Sequence, residues 1–365
     1  MVLVHSAYRV SLAFRQTYFF IAYYGLISPP NPYPITICND HHQSEGTQIG
    51  ASEQITTFKM GLTDTPSPHV PSWVVPASGA LLITGAIFWD MCYVLMSIRS
   101  HRTKSYGIPL FALALNLSWE LIYAARVAEH PLERLGFLVW LLLDVPLVYT
   151  TLKNAKHEWR HAPLVAKNIG AILAIMVALG CAANYAVADW WLSAPGTGHG
   201  DKSGKWWAGR EGFDCTELAF WTAGLAQFAL GTGCLAMLLV RGHSGGASYA
   251  ICQDKHPLHS VRGGFGSYEH TSYADHLFER LCRALGTLTG WIGSTGLLWW
   301  YWPEAHGFFV NLMGIFLMTT CLACDTAYPF ILAGVRRSEQ VLPDGRLVSG
   351  ISVKKSAAPI TKKRL

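Results

Sequence analysis

Asn116-Leu-Ser-Trp119-Glu120-Leu-Ile-Tyr123 lies inside Gly107 to Ala125, an apolar run with no other charged residue. The run is long enough to cross the ~30 Å hydrocarbon core of a bilayer. A charged carboxyl costs several kcal/mol there, so Glu120 is expected to face protein or a cavity and is a functional candidate. At helical spacing, Asn116 and Tyr123 share its face. The pattern fits a polar working face in an apolar pocket and, equally well, a polar seam between packed helices.

The composition is that of a membrane protein with several spans. Of 365 residues, 51% are apolar, 12% are aromatic and only 14% are charged, against roughly 25% charged residues in soluble domains. The net charge of +5 is spread over loops and the tail, so we expect no nucleic-acid partner. Cys321-x-x-Cys324 lacks a second pair or histidines at ligand spacing, so we expect neither a metal site nor a cofactor.

Residues 1–70 differ from the rest and read as an N-terminal extension. A short apolar run, Thr17 to Ser28, follows two arginines and resembles the core of a signal sequence. A polar stretch then leads to Met60. The extension is explained either by a targeting segment or by a start codon placed too early, with Met60 as the true first residue. We favour the second explanation.

Seven apolar segments within residues 71–337 predict an all-α bundle of about seven transmembrane helices. The predicted spans are 74–98, 107–125, 135–152, 168–188, 217–240, 284–302 and 308–334. Lysine and arginine are concentrated in the odd-numbered loops and in the basic tail, 338–365, and cytoplasmic loops carry that excess. We therefore predict a lumenal N-terminus and a cytoplasmic C-terminus. The polar insertion at about 253–278 is expected to be a solvent-side loop with no catalytic role.

The chain ends in Lys362-Lys363-Arg364-Leu365. This ending resembles the dilysine signal that returns membrane proteins to the endoplasmic reticulum, which works only on a cytosolic tail. We therefore predict residence in the endoplasmic reticulum, with a generic basic end as the alternative.

Three further acids, Asp90, Asp144 and Asp325, fall within the predicted spans. At ~1.5 Å per helical residue, these three lie at similar depth, and Glu120 lies roughly 8 Å nearer the lumen. Tyr328 follows Asp325 by one turn, which repeats the spacing of Glu120 and Tyr123. A hydrogen-bonded structural role is the alternative for each of these acids.

An apolar environment disfavours the charged form of a carboxyl and keeps it available as a proton donor near neutral pH. Protonation of an epoxide or olefin on a lipophilic substrate fits such a group. Trp89, Tyr93, Trp119 and Trp140 lie near the acids in sequence, and aromatic faces can stabilise a cation. The aromatic run 299–302 ends a span and is instead predicted to be an interfacial belt.

Six short motifs lie in order along the predicted spans. They are Ser105-Tyr106-Gly107, Asn116-x-x-Trp119-Glu120-x-x-Tyr123, Glu158-Trp159-Arg160-His161-Ala162-Pro163-Leu164-Val165 with Asn168, Arg241-Gly242-His243-Ser244-Gly245-Gly246-Ala247-Ser248-Tyr249, Tyr301-Trp302-Pro303-Glu304-Ala305 and Asp325-x-x-Tyr328. Over about residues 72–337 the chain thereby resembles the fungal membrane-bound terpene cyclases of indole-diterpene and meroterpenoid pathways, the PaxB-like family.

The resemblance implies a metal-independent cyclase of the isomerase or lyase class. Such an enzyme protonates the terminal epoxide of a prenylated aromatic or polyketide-derived substrate and drives carbocation cyclisation. Glu120 would be part of the acid that opens the epoxide. Asp325 would be its partner, which donates or orients the proton or steadies a later cation. A lower-ranked set of substrate-binding or supporting residues comprises Asn116, Trp119, Tyr123, Tyr328, Asp90 and Asp144.

The expected partners are the lipid bilayer and the epoxidised prenylated substrate. The resemblance also implies that a prenyltransferase and an epoxidase of the same pathway supply that substrate. A seven-span receptor or transporter that binds a lipophilic ligand without turnover is the alternative function.

Overall fold

The computed structural model describes residues 64–103, 105–242, 281–341 and 347–349. This part of the chain is a bundle of helices with short β-hairpins. Helices α1 to α5 are Val74–Thr103, Leu110–Ile122, Pro131–Glu158, Pro163–Trp191 and Cys215–Arg241, and α6 to α8 are Ser294–Tyr301, Pro303–His306 and Leu312–Ser338. Strands β1, Trp206–Trp207, and β2, Arg210–Glu211, pair antiparallel between α4 and α5, and β3, Glu339–Val341, pairs with β4, Leu347–Ser349.

Two segments of π-helix interrupt the regular α-helical winding. Tyr123–Val127 continues α2, and Thr287–Gly293 leads into α6. Residues 281–286 are also helical, so this helix runs without a break from 281 to Tyr301. Such wider turns change the direction of the side chains that follow and are frequent at functional sites.

Six helices of the described part are long and apolar enough to cross a membrane. They cover Val74–Ile98, Leu110–Val127, Pro131–Lys156, Pro163–Trp191, Cys215–Arg241 and Leu312–Ser338. The first five predicted spans and the seventh match them to within five residues at each end. The predicted sixth span, 284–302, is helical as far as Tyr301 but is not one of the six. The count of seven and the membrane orientation remain predictions.

Several sequence predictions fall outside the described residues. They concern the extension before residue 64, the insertion at 253–278, the end of the motif at 241–249 and the basic residues after 349. At the start of the predicted tail, β3 and β4 form a hairpin that the sequence patterns did not indicate.

Local sequence explains where the helices around the site begin. Pro131 occupies the first turn of α3, where a backbone N–H has no helical partner to lose. Leu132 N donates to His130 Nδ1, and the Glu133 carboxyl accepts from the backbone of His130, which completes a capping box. At α5, the Asp214 carboxyl accepts from Glu217 N at 3.0 Å. These caps fix the two helix ends that border the cavity described below.

Two glycines bring α1 against the π-helical segment before α6. A Cβ added at Gly85 would overlap the backbone of Gly290. The absence of side chains therefore allows a close backbone approach, as between small residues of membrane helices. Trp89 and Trp291 lie next to this contact and face the cavity.

Candidate active site

A cavity of about 520 Å³ lies between α1, α3, α5 and α6. The residues of α1 that line it run from Val75 to Asp90, a distance of about 22 Å at the helical rise per residue. Its volume is in the ~300–1,000 Å³ range of cavities that hold small-molecule ligands. The cavity therefore has the length and size to hold an elongated ligand.

Aromatic side chains form much of the cavity wall. Trp119 stacks on Trp140 with ring centroids 6.1 Å apart, and Trp89 meets Trp140 edge-on at 6.1 Å. Such rings offer π faces that stabilise positive charge. The lining rings are those of Trp89, Trp119, Phe137, Trp140, Phe220, Trp291 and Trp302.

The aromatic run 299–302 does not act as one interfacial belt. Trp300 is 67% exposed, as a belt residue would be, but Trp302 is 2% exposed and lines the cavity. The prediction was therefore wrong for Trp302. The helix ends at Tyr301, and the backbone of Trp302 leaves the helical conformation, which turns its indole inward.

The cavity is open on the side of the bundle between α1 and α3. Ile87, Leu135 and Val139 line it and are also among the large apolar side chains exposed at the surface of the described residues. This side opening is therefore bordered by apolar side chains from both helices.

One end of the cavity is closed by buried charged groups. We call it the capping end. It is formed by residues 64–73, 192–214 and 302–311, together with Glu133 at the start of α3. Lys205 is 1% exposed, and its Nζ lies 2.9 Å from an oxygen of Asp64 and 3.7 Å from one of Asp214. Asp64, Glu133 and Lys205 line the cavity here. Burial opposes the ionisation of Asp214, but the nearby ammonium groups, that of Lys205 first, lower the pKa of this carboxyl.

His306 completes the contacts of Lys205. Its Nε2 lies 3.0 Å from Lys205 Nζ, and its Nδ1 lies 3.0 Å from the carbonyl oxygen of Trp302. Because the ammonium donates and the carbonyl accepts, the imidazole is neutral, with its proton on Nδ1. Burial, together with the Lys205 charge, lowers the pKa of His306 to about 3.

A second set of ion pairs joins the loop between α4 and α5, which carries Lys205, to the start of α5. Lys202 Nζ lies 2.9 Å from an oxygen of Asp214 and 2.6 Å from one of Glu217. His199 Nδ1 lies 2.7 Å from the other oxygen of Glu217. The loop between α4 and α5 is therefore held against the bundle by buried charges.

Deeper in the bundle, Asn116 joins two buried carboxyls from neighbouring helices. Its Nδ2 donates to Glu120 Oε1 at 2.7 Å and to Asp144 Oδ2 at 2.9 Å. Tyr93 of α1 interacts with the same amide. We call Asn116, Glu120 and Asp144 the acid cluster. The two carboxyls share one nitrogen atom and therefore do not lie at the separate depths that counting along the spans predicted.

Asp90 is the member of the predicted set of acids that reaches the cavity. It lies at the deep end of the lining surface of α1 and interacts with the Trp140 indole. Its Oδ1 is buried and has no hydrogen-bond partner among the described residues, as is also true of Glu120 Oε2 and Asp144 Oδ1. Neither Glu120 nor Asp144 lines the cavity.

Asp325 is paired with a residue outside the acid cluster. Its Oδ1 is 3.1 Å from Arg283 Nη2, and both side chains are almost fully buried. Asp325 does not line the cavity, and Tyr328, one turn later, packs in the apolar core with Met96 and Leu332. The structure therefore shows no hydrogen bond or ion pair between the two acids that the resemblance singles out, within the residues it describes.

Trp119 and Tyr123 are both held by one hydroxyl group on α5. Trp119 Nε1 donates to Thr222 Oγ1 at 3.0 Å, and the Tyr123 hydroxyl lies 2.5 Å from the same oxygen. The two rings contact each other with centroids 4.7 Å apart. These contacts fix the orientation of the Trp119 ring at the cavity wall.

Sequence patterns did not indicate Asp64, Lys205 or Trp302 as site residues. Lys205 is one of two lysines in a loop, which is usually a solvent-exposed setting. The sequence does contain a signal for Glu133. Pro131 is followed two residues later by this acid, which is a pattern typical of a helix start. That signal locates a helix end but does not point to a cavity.

Helices of membrane-spanning length and a ligand-sized apolar cavity define an integral membrane protein with a candidate small-molecule site. A profile of the Pyr4-like transmembrane terpene cyclases matches residues 63–253 and 281–338. The chain belongs to this family. The resemblance to membrane-bound terpene cyclases that the motifs predicted is thereby confirmed.

Individual relatives agree with the family match. The chain is 36% identical over 284 residues to terpene cyclase ascF of Acremonium egyptiacum, an alignment covering 78% of this chain and 91% of that protein. It is 29% identical over 264 residues to terpene cyclase pyr4 of Aspergillus fumigatus, covering 72% and 88%. It is 25% identical over 271 residues to terpene cyclase paxB of Penicillium paxilli, covering 74% and 90%. No solved structure matches the chain.

Proposed function

We propose that this membrane terpene cyclase protonates the epoxide of a prenylated substrate of the meroterpenoid or indole-diterpene kind and cyclises it without a metal ion. The observation that carries the proposal is the elongated, aromatic-walled cavity with a carboxyl at its deep end. An apolar cavity of this length accommodates a prenyl chain, and a carboxyl excluded from water is suited to donate a proton.

The reaction balances without any added reactant. A carboxylic acid O–H gives its proton to the epoxide oxygen, and the C–O bond to the more substituted carbon breaks. Electron pairs of successive double bonds attack the resulting cation and form C–C bonds. A final C–H proton leaves to a base, so the product is an isomer of the substrate. Ring faces along the wall lower the energy of the intermediate cations.

Within this proposal, Glu120 belongs to the acid that opens the epoxide. Its hydrogen bond to Asn116 and its place beside Asp144 support a role in holding the proton. Asp325 acts from its ion pair with Arg283, either by orienting the proton donor or by steadying a later cation. Trp119 faces the cation, while Tyr123 and Tyr328 support the walls from behind.

The test is turnover by microsomes that contain the protein. Incubated with a terminally epoxidised farnesyl phenol, the wild-type protein should yield a cyclised isomer of equal mass. Glu120→Gln and Asp325→Asn should each abolish the product while the protein still accumulates in membranes. Asp189→Asn, which changes an exposed acid paired with Arg126, is the matched control and should keep activity.

The alternative, a receptor or transporter for a lipophilic ligand, predicts binding of the same compounds without any new product. The three relatives described above are all named terpene cyclases, which favours the enzyme. Full activity of Glu120→Gln or Asp325→Asn would remove that residue from the mechanism.

Metal independence has its own test. Prolonged treatment with EDTA should leave the rate of cyclisation unchanged, and added Mg²⁺ should not raise it. A clear loss of rate that Mg²⁺ restores would contradict the proposal.

We further propose that the protein resides in the endoplasmic reticulum and receives its substrate from a prenyltransferase and an epoxidase. The basis for the location is the dilysine-like stretch Lys362-Lys363-Arg364-Leu365, and the basis for the supplying enzymes is the resemblance to the terpene cyclase family. Replacing both lysines with serine should move a tagged protein out of this membrane, and an unchanged location would argue against the signal.

A further inference from the structure

The titratable groups that line the cavity are unevenly placed along it. Asp64, Glu133 and Lys205 lie together at the capping end, whereas Asp90 lies at the opposite end of the lined surface of α1. The hydroxyls of Ser78 and Ser294 on the wall between them donate to backbone carbonyls. Among the described residues, Asp90 is therefore the only acid that faces the deep end of the cavity.

The Asp90 carboxyl lines the cavity, and one of its oxygens lacks a hydrogen-bond partner within the described residues. Its Oδ1 is buried and has no hydrogen-bond partner within the described part of the chain. A buried carboxyl oxygen without a partner is costly, and an ionisable side chain within a membrane-spanning helix that lines a cavity is a functional candidate. An epoxide oxygen, which is a hydrogen-bond acceptor, complements the O–H of a protonated carboxyl at this position.

Aromatic rings surround the same carboxyl. Trp89 precedes it on α1, and Trp140 interacts with it directly. Trp140 in turn stacks on Trp119. A cation formed next to Asp90 would therefore lie near the indole rings of Trp89 and Trp140, which attract positive charge.

The acid cluster lies behind this position. Tyr93, three residues after Asp90 and thus on the same side of α1, interacts with Asn116, which binds both Glu120 and Asp144. The acid cluster is therefore connected to the side of α1 that carries Asp90.

We propose that Asp90 is the catalytic residue that touches the epoxide and donates the proton, and that the acid cluster positions and restores that proton. The inference rests on the proposed cyclase function and deepens it. The Asp90 O–H bond breaks as the epoxide oxygen gains hydrogen and its C–O bond opens. The proton lost from carbon in the last step, returned through the carboxyls, leaves Asp90 protonated again.

The assignment also sets the direction of substrate binding. The epoxide end of the prenyl chain lies deep, beside Asp90, and the aromatic or polyketide-derived head lies at the capping end near Glu133 and Lys205. A substrate held in this way spans the length of the cavity.

The experiment measures binding and turnover separately in Asp90→Asn. The purified full-length protein carries several tryptophans in the cavity wall, so quenching of tryptophan fluorescence reports binding of an epoxidised farnesyl phenol. Asp90→Asn should bind within about threefold of wild type, yet its kcat should fall about 10²- to 10⁴-fold, the size of a lost general acid. Asp90→Glu, which keeps an acid, should recover part of the rate.

Controls separate a chemical role from a structural one. Asn184→Leu removes a buried amide that binds Ser118, away from the carboxyls, and should retain most of the activity. Asn116→Leu removes the link between Glu120 and Asp144 and should change the pH profile of kcat more than it changes KM.

The outcomes distinguish the two proposals. If wild-type protein forms no cyclised isomer from epoxidised substrates, the proposed function fails. If wild type turns over and Asp90→Asn does so at a similar rate, Asp90 is not the donor. Loss of binding together with turnover in Asp90→Asn would also overturn the inference, because it would indicate a structural residue.

Discussion

At the scale of single residues, His306 is a neutral imidazole that lies between the Lys205 ammonium and the Trp302 carbonyl. Lys205 donates to one ring nitrogen, and the other donates to Trp302 O. Protonation of the ring would place a second positive charge beside the ammonium. The pKa of His306 is therefore lowered, and the folded state is sensitive to acid.

We predict that this sensitivity is reduced in His306→Gln. The pKa of His306 is about 3 in the folded protein and about 6.5 in an unfolded chain. Between these values the unfolded state binds the extra proton, so stability falls as the pH falls, by about 2 kcal/mol from pH 6.5 to 5. Thermal unfolding in detergent at pH 7 and pH 5 should show a smaller difference for His306→Gln, because glutamine can keep both hydrogen bonds.

His199→Gln is the control for that prediction. The hydrogen bond to Glu217 raises the pKa of His199, so its contribution to stability is present at low pH and is lost as the pH rises. Removing it should therefore increase the loss of stability in acid. Equal pH dependence in wild type and His306→Gln would show that this histidine titrates normally.

The sequence revealed the intramembrane acids because one charge in an apolar run is a local signal. Asn116 and Glu120 were placed on one face correctly, since their spacing alone decides it. Their partner Asp144 is 28 residues away, and no local pattern gives that contact. Asp90 was in the lower-ranked set of candidate site residues, because only the folded structure shows which acid faces the cavity.

At the scale of helices, the contact between α1 and the π-helical segment depends on Gly85. Gly85→Ala would push a methyl group into the backbone of Gly290, and overpacking of this kind typically costs about 1–3 kcal/mol. We expect a lower unfolding temperature in detergent and reduced cyclase activity, because Trp89 and Trp291 line the cavity beside this contact.

Gly170→Ala is the matched control on another long helix. The nearest atom to an added Cβ there is Leu152 Cδ2 at 3.7 Å, an ordinary contact distance. This variant should unfold at the wild-type temperature or slightly above it. Similar losses in both glycine variants would mean that the close approach of α1 is not important.

Helix identities and approximate limits were predictable, because long apolar runs are set by local composition. The two π-helical segments were not, since a wider turn leaves no signature in hydrophobicity. The inward turn of Trp302 depends on the helix ending at Tyr301, and the sequence placed that end only approximately.

At the scale of the whole molecule, Lys205 joins parts of the chain that are far apart in sequence. Its ammonium contacts Asp64 before α1, Asp214 at the start of α5 and His306 in α7. The contact with Asp64 spans 141 residues. Sequence patterns gave this loop no role, and its part in closing the cavity is visible only in these long-range pairs.

We predict that Lys205→Met destabilises the fold by about 3–5 kcal/mol, because it leaves Asp64 without its counter-ion and leaves Asp214 paired with Lys202 alone. The unfolding temperature in detergent should fall clearly. Adding Asp64→Asn to Lys205→Met should recover part of the loss, because one unpaired charge is then removed. Arg210→Met, at an exposed position of the same loop, should have little effect, and a loss as large as that of Lys205→Met would contradict the assignment.

The side opening between α1 and α3 has a consequence for how the cavity is filled. Ile87, Leu135 and Val139 border it, on two helices that each have the length to span hydrocarbon. A lipophilic molecule dissolved among lipid tails can therefore enter the cavity sideways without first passing through water. Arrival at the site then becomes diffusion in two dimensions, and the bilayer itself can store the lipophilic molecule.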